Sequence, residues 1–584
     1  MSTTEVGRLK LESTDKARAD VASWTVWDAM RLAFAPLASL QLTVVLLGLA
    51  FVLVLAGTLA QVDYDVWYVV AKYFRSWWAL IELRIFFPRN WGISEAIRLP
   101  FPGGKLIGCG LALNLLAAHG FRFRVAASGA RLWWGWAVIA LGAAMTWGVI
   151  ASGSNIAASS QLSPQFANTL WHLVRAALGG TALTLCYVLA LTRVQSRESA
   201  ARWLWWFGVV AAVLLVGLAG YLFMHPEERL DASGLRILWQ LAKAGGAGVV
   251  LGLGCWAVFA RRAGIVLLHG GIALLMFSEL YTDAKVVEAQ MTIEEGETAT
   301  WAQDIRAAEL AFTQVGDSEL DRVVVIPAAL LAEAARSGEP VRHPELPVDV
   351  RVVEYLPNAG RRLVQPGETG VATAGLGQLW ALRERPRATG VANESRVDVP
   401  GAYVELLDKD TGASLGVYLT SLHFAGEPLE VDGQPWQMAL RFKRLPKPYR
   451  VTLNKFKFDR YIGSPTPKNF ESIVRFEDPA HNVDYNASIW MNNPLRYGGD
   501  TLYQADWNKE TERGTVLQVV TNSGWMIPYV SCMIVLAGML IHFLQALVRF
   551  IGRRENAAAR AAAAVASASR ERLSLWSQWR RPQV

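Results

Sequence analysis

Residues 38–61 read ASLQLTVVLLGLAFVLVLAGTLAQ, a run of 24 residues without a charge. A helix rises about 1.5 Å per residue and a bilayer core is about 30 Å thick, so some 20 apolar residues suffice to cross it. Comparable runs follow at 103–123, 132–151, 172–192, 203–224, 237–260, 263–281 and 525–546, and eight spanning helices are expected. The run at 237–260 is the least clean, because Gln240 and Lys243 lie near its start. The 584 residues are 52% hydrophobic and 18% charged, where a water-soluble domain is usually about a quarter charged. Many of the 24 Trp flank the apolar runs, as in Trp77-Trp78, Trp133-Trp134 and Trp205-Trp206, where interfacial belts lie.

Basic residues orient the spans. Arg8, Lys10, Lys16, Arg18 and Arg31 precede the first. Arg122, Arg124 and Arg131 lie between the second and third, Arg193, Arg197 and Arg202 between the fourth and fifth, Arg261-Arg262 between the sixth and seventh, and Arg549, Arg553 and Arg554 after the eighth. Every second connection is basic, which places both termini in the cytoplasm. The 62–102 loop should face outward yet carries Lys72, Arg75, Arg84, Arg89 and Arg98 beside its acids. The first 35 residues are polar and mixed in charge, so no cleavable signal is read and the first helix is expected to be an uncleaved anchor.

The remaining block, 282–524, is exterior. Over 283–524 there are 34 acidic and 26 basic residues, a net of −8 in a chain whose net is +7. The positive charge therefore belongs to the membrane part and gives no sign of nucleic acid. Trp436, Met438, Leu440 and Phe442 alternate with polar or small residues, as a half-buried strand does. AYVELLD and LGVYLTSLHF flank KDTGA and predict a hairpin. RVTLNKFKF slips phase near Asn454-Lys455 and predicts a bulge. Residues 328–340 read as one short helix stopped by Gly and Pro. The fold class is thus a polytopic α-helical membrane protein of about eight transmembrane helices, with a large β-rich exterior domain, a sandwich or open barrel, between helices seven and eight. The expected divisions are 1–37 (cytoplasmic segment), 38–123 (two helices and an outer loop), 124–260 (four further helices), 261–281 (the seventh helix), 282–524 (the exterior domain), 525–546 (the eighth helix) and 547–584 (a basic, Ala-rich cytoplasmic tail). The tail is read as partly ordered, with a surface helix on anionic lipid as the alternative.

Cys109, Cys186, Cys255 and Cys532 all fall in apolar runs and form no CxxC, so neither a disulfide framework nor a zinc site is expected. Two histidines lie inside spans: His119 in GCGLALNLLAAHGFRF and His269 in GIVLLHGGIALLMF. An imidazole in hydrocarbon needs a partner, and it is a good axial ligand for haem iron. His119 is three residues from Arg122, about 4.5 Å along the axis, and His269 seven from Arg262, about 10 Å. Both rings then lie near the cytoplasmic side. Arg122, Arg124 and Arg262 suit haem propionates by bidentate pairing; membrane anchoring explains them more simply. Gly270-Gly271 suit close approach of a macrocycle or tight helix packing. Asn114 is expected to bond between helices. His172, His225 and His542 sit at helix ends, while His343, His423 and His481 read as surface residues of the exterior domain. The basic run 441–460 reads as a solvated strand face.

LASLQLTVVLLGLA, then LPFPGG leading to NLLAAH, then LLHGGIALLMFSE, with YIGSPTPKNFESIVRF and ASIWMNNPLRYGGDTLYQADW outside, resembles the ResB (CcsB-type) component of system II cytochrome c biogenesis. The resemblance covers about 36–123, 263–300 and 400–546. It departs from the family in four extra spans at about 132–260, an even number that preserves orientation. It implies a bacterial inner-membrane protein that helps carry haem b outward and presents it, with a CcsA/ResC-type membrane partner, to apocytochrome c. It also implies that the transmembrane haem-ligating histidine of this half is His119, with the second ligand from His269 or the partner. No Trp-rich WxWD element is present, so the chain reads as one half of a synthase and not catalytic alone. The Asn493-Pro494-Leu495 to Tyr503-Gln504 run is expected to serve the fold or a partner contact. Two other classes stand beside this one: a haem b electron-transfer subunit held by His119 and His269, and a membrane assembly protein that binds a partner through its exterior domain.

Overall fold

The computed structural model describes residues 34–122, 125–155, 164–192, 199–314, 321–365, 367–388, 397–464 and 467–579. Seven long helices precede the β domain among the described residues: α1 (Leu40–Ala60), α2 (Gly104–Arg122), α3 (Gly129–Gly153), α4 (Pro164–Thr192), α5 (Ser199–Met224), α6 (Ala232–Phe259) and α7 (Ala263–Lys285). A short α8 (Ala328–Ser337) lies within that domain, and α9 (Ile527–Trp579) follows it. Six helical stretches among the described residues are long and apolar enough to cross a membrane. One of them, Gly234–Lys285, contains both α6 and α7, which break at a 3-10 turn where Ala260 takes φ 47°. The chain is a multi-pass membrane protein. α2 coincides with a predicted span but is less apolar than the six.

Two boundaries differ from expectation. α4 begins at Pro164, eight residues ahead of the predicted span. α9 does not stop at 546 but runs on to Trp579, so the predicted tail is its continuation. Residues 556–569, NAAARAAAAVASAS, are rich in alanine and hold neither Gly nor Pro, so nothing ends the helix there.

α7 and α9 form the seam of the bundle. A Cβ on Gly264 would stand 2.5 Å from the His542 backbone nitrogen, and one on Gly538 2.5 Å from that of Leu268. Only glycine allows this approach. α6 packs on both helices and on α3, with Val149, Ile150, Cys255, Leu267, Val530 and Ile534 in one apolar cluster. α4 and α5 form a peripheral hairpin whose contact with α6 centres on Ala167, Leu170, Trp171 and Leu235. α1 and α2 are tied by Asn114, as expected of that residue: it accepts from the Thr43 hydroxyl (2.7 Å) and donates to the carbonyls of Leu37 (2.6 Å) and Ser39 (2.9 Å).

The β domain leaves the bundle after α7 and returns through α9. Strands β1 (Trp78–Glu82) and β2 (Arg98–Pro102) form a hairpin in the α1–α2 loop. The domain proper has fifteen strands among its described residues, from β3 (Val287–Glu294) and β4 (Thr298–Gln314) to β16 (Asp500–Trp507) and β17 (Gly514–Thr521). Its backbone is β12 (Gln434–Arg460), 27 residues long, and two cores lie along it instead of one. Near its start, β12, β4 and β5 (Arg322–Pro327) face a three-stranded sheet of β6 (Asp349–Leu356), β9 (Gly401–Leu407) and β10 (Ser414–Ser421), with α8 alongside. That half is a sandwich.

The other half rolls up. Its strand order is β14-β13-β12-β4-β3-β17-β16-β15, with β13 at Pro467–Asp478, β14 at Val483–Trp490 and β15 at Leu495–Tyr497. Across its two ends, Ser472 of β13 donates to Gln504 of β16 at 2.5 Å, and Phe476 packs on Tyr497. The β9–β10 hairpin, the bulge at Leu453/Lys455, and α8 with its left-handed Gly338 cap stand where the sequence predicts them. The basic 441–460 run is more than a solvated face. Arg441 pairs with Glu309, Lys457 with Glu471 and Arg460 with Glu512, while half-buried Lys447 pairs with Asp500.

The described parts of the 62–102 loop and the end of α3 lie at the domain end of the bundle. The Arg306 guanidinium sits 4.7 Å over the Trp67 ring, and Asp283 of α7 binds Arg75 (3.0 Å) and Lys105 (2.7 Å). Trp525 donates to the Gly153 carbonyl (3.0 Å) and carries the Arg496 guanidinium 3.9 Å above its ring. The Asn493–Gln504 run thus docks the domain on the bundle. At the far end, described parts of the α2–α3 and α6–α7 connections meet α6 and α9: the Ala126 amide donates to Val258 and Gln545 to Ala260.

Candidate functional site

The far end is where the two intramembrane histidines meet. α2 approaches this end and α7 departs from it, so His119, one turn before the end of α2, and His269, two turns into α7, come level. The His119 Nε2 atom lies 2.9 Å from the His269 Nδ1 atom, and the ring centroids are 4.4 Å apart at 55°. Both rings are half-buried.

The proton positions follow from the neighbours. His119 Nδ1 is 2.8 Å from the Leu115 carbonyl, and His269 Nδ1 is 3.0 Å from the Ile265 carbonyl. A carbonyl only accepts, so each Nδ1 carries hydrogen. His269 Nδ1–H is then shared between Ile265 and the His119 Nε2 lone pair. What remains on His269 is an Nε2 lone pair, the atom an imidazole offers to a metal. A metal–imidazole bond is about 2 Å, so two nitrogens across one iron stand about 4 Å apart. At 2.9 Å the observed nitrogens are closer than that, and one ring hydrogen-bonds the other.

The flanking glycines divide. A Cβ on Gly271 would meet Val535 at 2.7 Å and the Ser531 carbonyl at 3.1 Å, so this glycine serves packing against α9. A Cβ on Gly270, or on Gly120 beside His119, would meet nothing within 4 Å. Space for a flat group lies beside both rings.

Arg262 is exposed at the N-cap of α7, more than two turns from His269 along the sequence. Arg122 closes α2, and its side chain lies outside the described residues, as does Arg124. The other histidines are elsewhere. His172 is exposed on α4 and His225 pairs with Glu227. His542 lies in the α7–α9 seam with a buried, unpartnered Nδ1. His423 bonds the Ala359 carbonyl, His481 pairs with Asp478, and His343 accepts from the Glu345 amide. No cluster of three or more His, Cys, Asp or Glu that suits a metal ion occurs among the described residues.

The ResB-like family matches residues 430–516, from β11 (Glu427–Val431) through β12 to β17. This part of the chain is ResB-like. The chain is 31% identical over 124 residues to protein NrfI of Wolinella succinogenes, which covers 21% of this chain and 14% of that protein. It is 33% identical over 100 residues to the cytochrome c biogenesis protein CcsB of Synechococcus elongatus, 16% of this chain and 21% of that one. With CcsB of Paulinella chromatophora the figures are 30% over 139 residues, 24% and 25%. The chain therefore spans a quarter or less of these relatives' lengths.

Proposed function

We propose that this protein is the ResB-type subunit of a cytochrome c maturation complex in a bacterial inner membrane. It helps carry haem across the membrane and presents it, with a CcsA/ResC-type partner, for covalent attachment to apocytochrome c. The eight helices then all span, the termini and the histidine pair face the cytoplasm, and the β domain faces outward. The observation that carries the reading is the hydrogen-bonded His119–His269 pair within the helices, with open space at Gly120 and Gly270.

Haem is cargo here. The His269 Nε2 lone pair is the iron-facing donor, and His119, to which the resemblance gives that role, holds the ring by accepting its Nδ1–H. The opposite axial position falls to the partner. Arg122 and Arg262 stand at the same end for the propionates. Attachment of haem to two thiols is proximity work, which a scaffold supplies by positioning.

Reduced-minus-oxidised spectra of the detergent-purified protein, with and without its partner, test this. Haem b is expected in wild type, none in His269→Ala, and a weakened, shifted band in His119→Ala. Wild type and complex both lacking haem, or haem surviving both substitutions, overturns the site. If haem instead remains in this chain while cytochrome c maturation is intact without it, the electron-transfer reading replaces this one.

A further inference from the structure

A second feature lies between α6 and α9. α6 and α9 leave between them a groove of about 660 Å3, within the range of small-molecule pockets. Its walls are aliphatic and aromatic, with Leu253 and Trp256 from α6 and Leu540 and Leu544 from α9. Its far-end mouth carries Arg261 and Arg549, both exposed. Arg549 Nε donates to the Gln545 carbonyl at 2.8 Å, and neither arginine has a carboxylate partner among the described residues. Gln545 also lines the groove. Its Nε2 donates to Ala260 at 3.3 Å, while its Oε1 is buried without a hydrogen-bond partner.

An apolar slot ending in two guanidinium groups and an unsatisfied acceptor specifies an occupant in three parts. It needs hydrocarbon chains, an anion at headgroup depth and a hydrogen-bond donor beside the anion. Basic pockets between helices on the cytoplasmic side of a membrane bind anionic lipid headgroups. We propose that this groove holds an anionic phospholipid of the phosphatidylglycerol type. Its phosphate pairs with Arg261 and Arg549, a glycerol hydroxyl donates to Gln545, and its acyl chains fill the slot. The α6 side of the groove belongs to the four helices that depart from the family pattern, so these helices give the bundle a lipid-binding face.

The test uses the full chain purified in mild detergent from membranes containing phosphatidylglycerol and phosphatidylethanolamine, with retained lipid quantified by mass spectrometry. Wild type is expected to retain phosphatidylglycerol at near one per chain, enriched at least fivefold over its membrane ratio. The Arg261→Gln/Arg549→Gln variant should lose that enrichment, and Leu540→Trp, which fills the slot, should lose it with both arginines in place. Arg553→Gln/Arg554→Gln, one turn further along α9, should keep it. Equal enrichment in wild type and the first variant overturns the proposal, and so does loss in the Arg553/Arg554 control, which would show a bulk charge effect. Haem in place of lipid, lost with Arg261 and Arg549, also overturns it.

Discussion

The two ends of the bundle hold their polar groups in opposite ways. At the domain end, cations meet acids. Asp283 binds Arg75 and Lys105, and Glu82, 4% exposed, binds Arg84 (3.0 Å) and Arg98 (3.1 Å). At the far end, polar groups meet carbonyls. Arg131 donates to Ala257, Arg549 to Gln545 and Gln545 to Ala260, and both histidines lean on the carbonyl four residues earlier. The difference accounts for the one loop that strains the positive-inside reading. Three basic residues of that loop are ion-paired, Arg75 to Asp283, Arg84 to Glu82 and Glu95, and Arg98 to Glu82, which offsets part of their field. The cations without carboxylate partners that steer topology, such as Arg261 and Arg549, are at the far end.

The largest effect should come from breaking the far-end seam. Gly538→Val drives a β-branched side chain into the Leu268 backbone, whose nitrogen and Cα lie 2.5 and 2.8 Å from the added Cβ. Backbone cannot rotate away as a side chain can, so the helices must separate. We expect destabilisation of about 3 kcal/mol or more, seen as loss of the monodisperse peak in detergent. Gly270→Val, one turn or less from His269 yet facing open space, should leave that peak intact. Equal damage from both would mean that α7 and α9 do not meet as described.

A smaller effect is expected at the domain end. Asp283→Asn leaves Arg75 and Lys105 facing each other without an anion. The side chains are 18%, 44% and 30% exposed, so solvent screens much of the gain. About 1–2 kcal/mol is expected in thermal or denaturant unfolding. Raising salt to 1 M should narrow the gap between variant and wild type, because screening weakens only the protein that still has the pair. A gap that ignores salt would make Asp283 a packing residue.

The same contrast explains what could be read in the chain. Helix positions follow from composition, because a bilayer demands a length and an apolarity that few other structures need. The β9–β10 hairpin and the Asn454 bulge follow from alternation and its interruption. Two cores along β12 do not, since periodicity says which face is buried and not what buries it. The end of α9 is missed because hydropathy marks the membrane boundary and not the helix end. At the site, the types and level of His119 and His269 are legible. Which nitrogen is bare is not, because that rests on the Leu115 and Ile265 carbonyls. The groove arginines read only as anchors, because a slot between α6 and α9 needs both helices placed.

The smallest effect, and the finest test of acids against carbonyls, compares two histidine pairs. In the β domain His481 rests on Asp478, not on another ring. Asp478 is fully buried, and accepts from Tyr497 (2.7 Å), His481 (2.8 Å) and the Ala480 amide (3.0 Å). Burial alone would raise its carboxyl, but the hydrogen bonds from Tyr497 and His481, with the charge of His481 and the amide, hold it below the usual carboxylate range. A depressed folded pKa means that the folded state takes up its proton later than the unfolded chain, whose carboxyl titrates near about 3.9. The contribution is present above that value and fades as pH falls through the lower folded value. Asp478→Asn should therefore be less stable than wild type near neutrality, with the gap closing as the solution is taken below about pH 4. His119→Gln, in a pair with no acid, should show no such convergence over the same window. If the Asp478→Asn gap instead stays constant to acid pH, the Asp478 contacts act through packing, and charge does not distinguish the two ends in the way described.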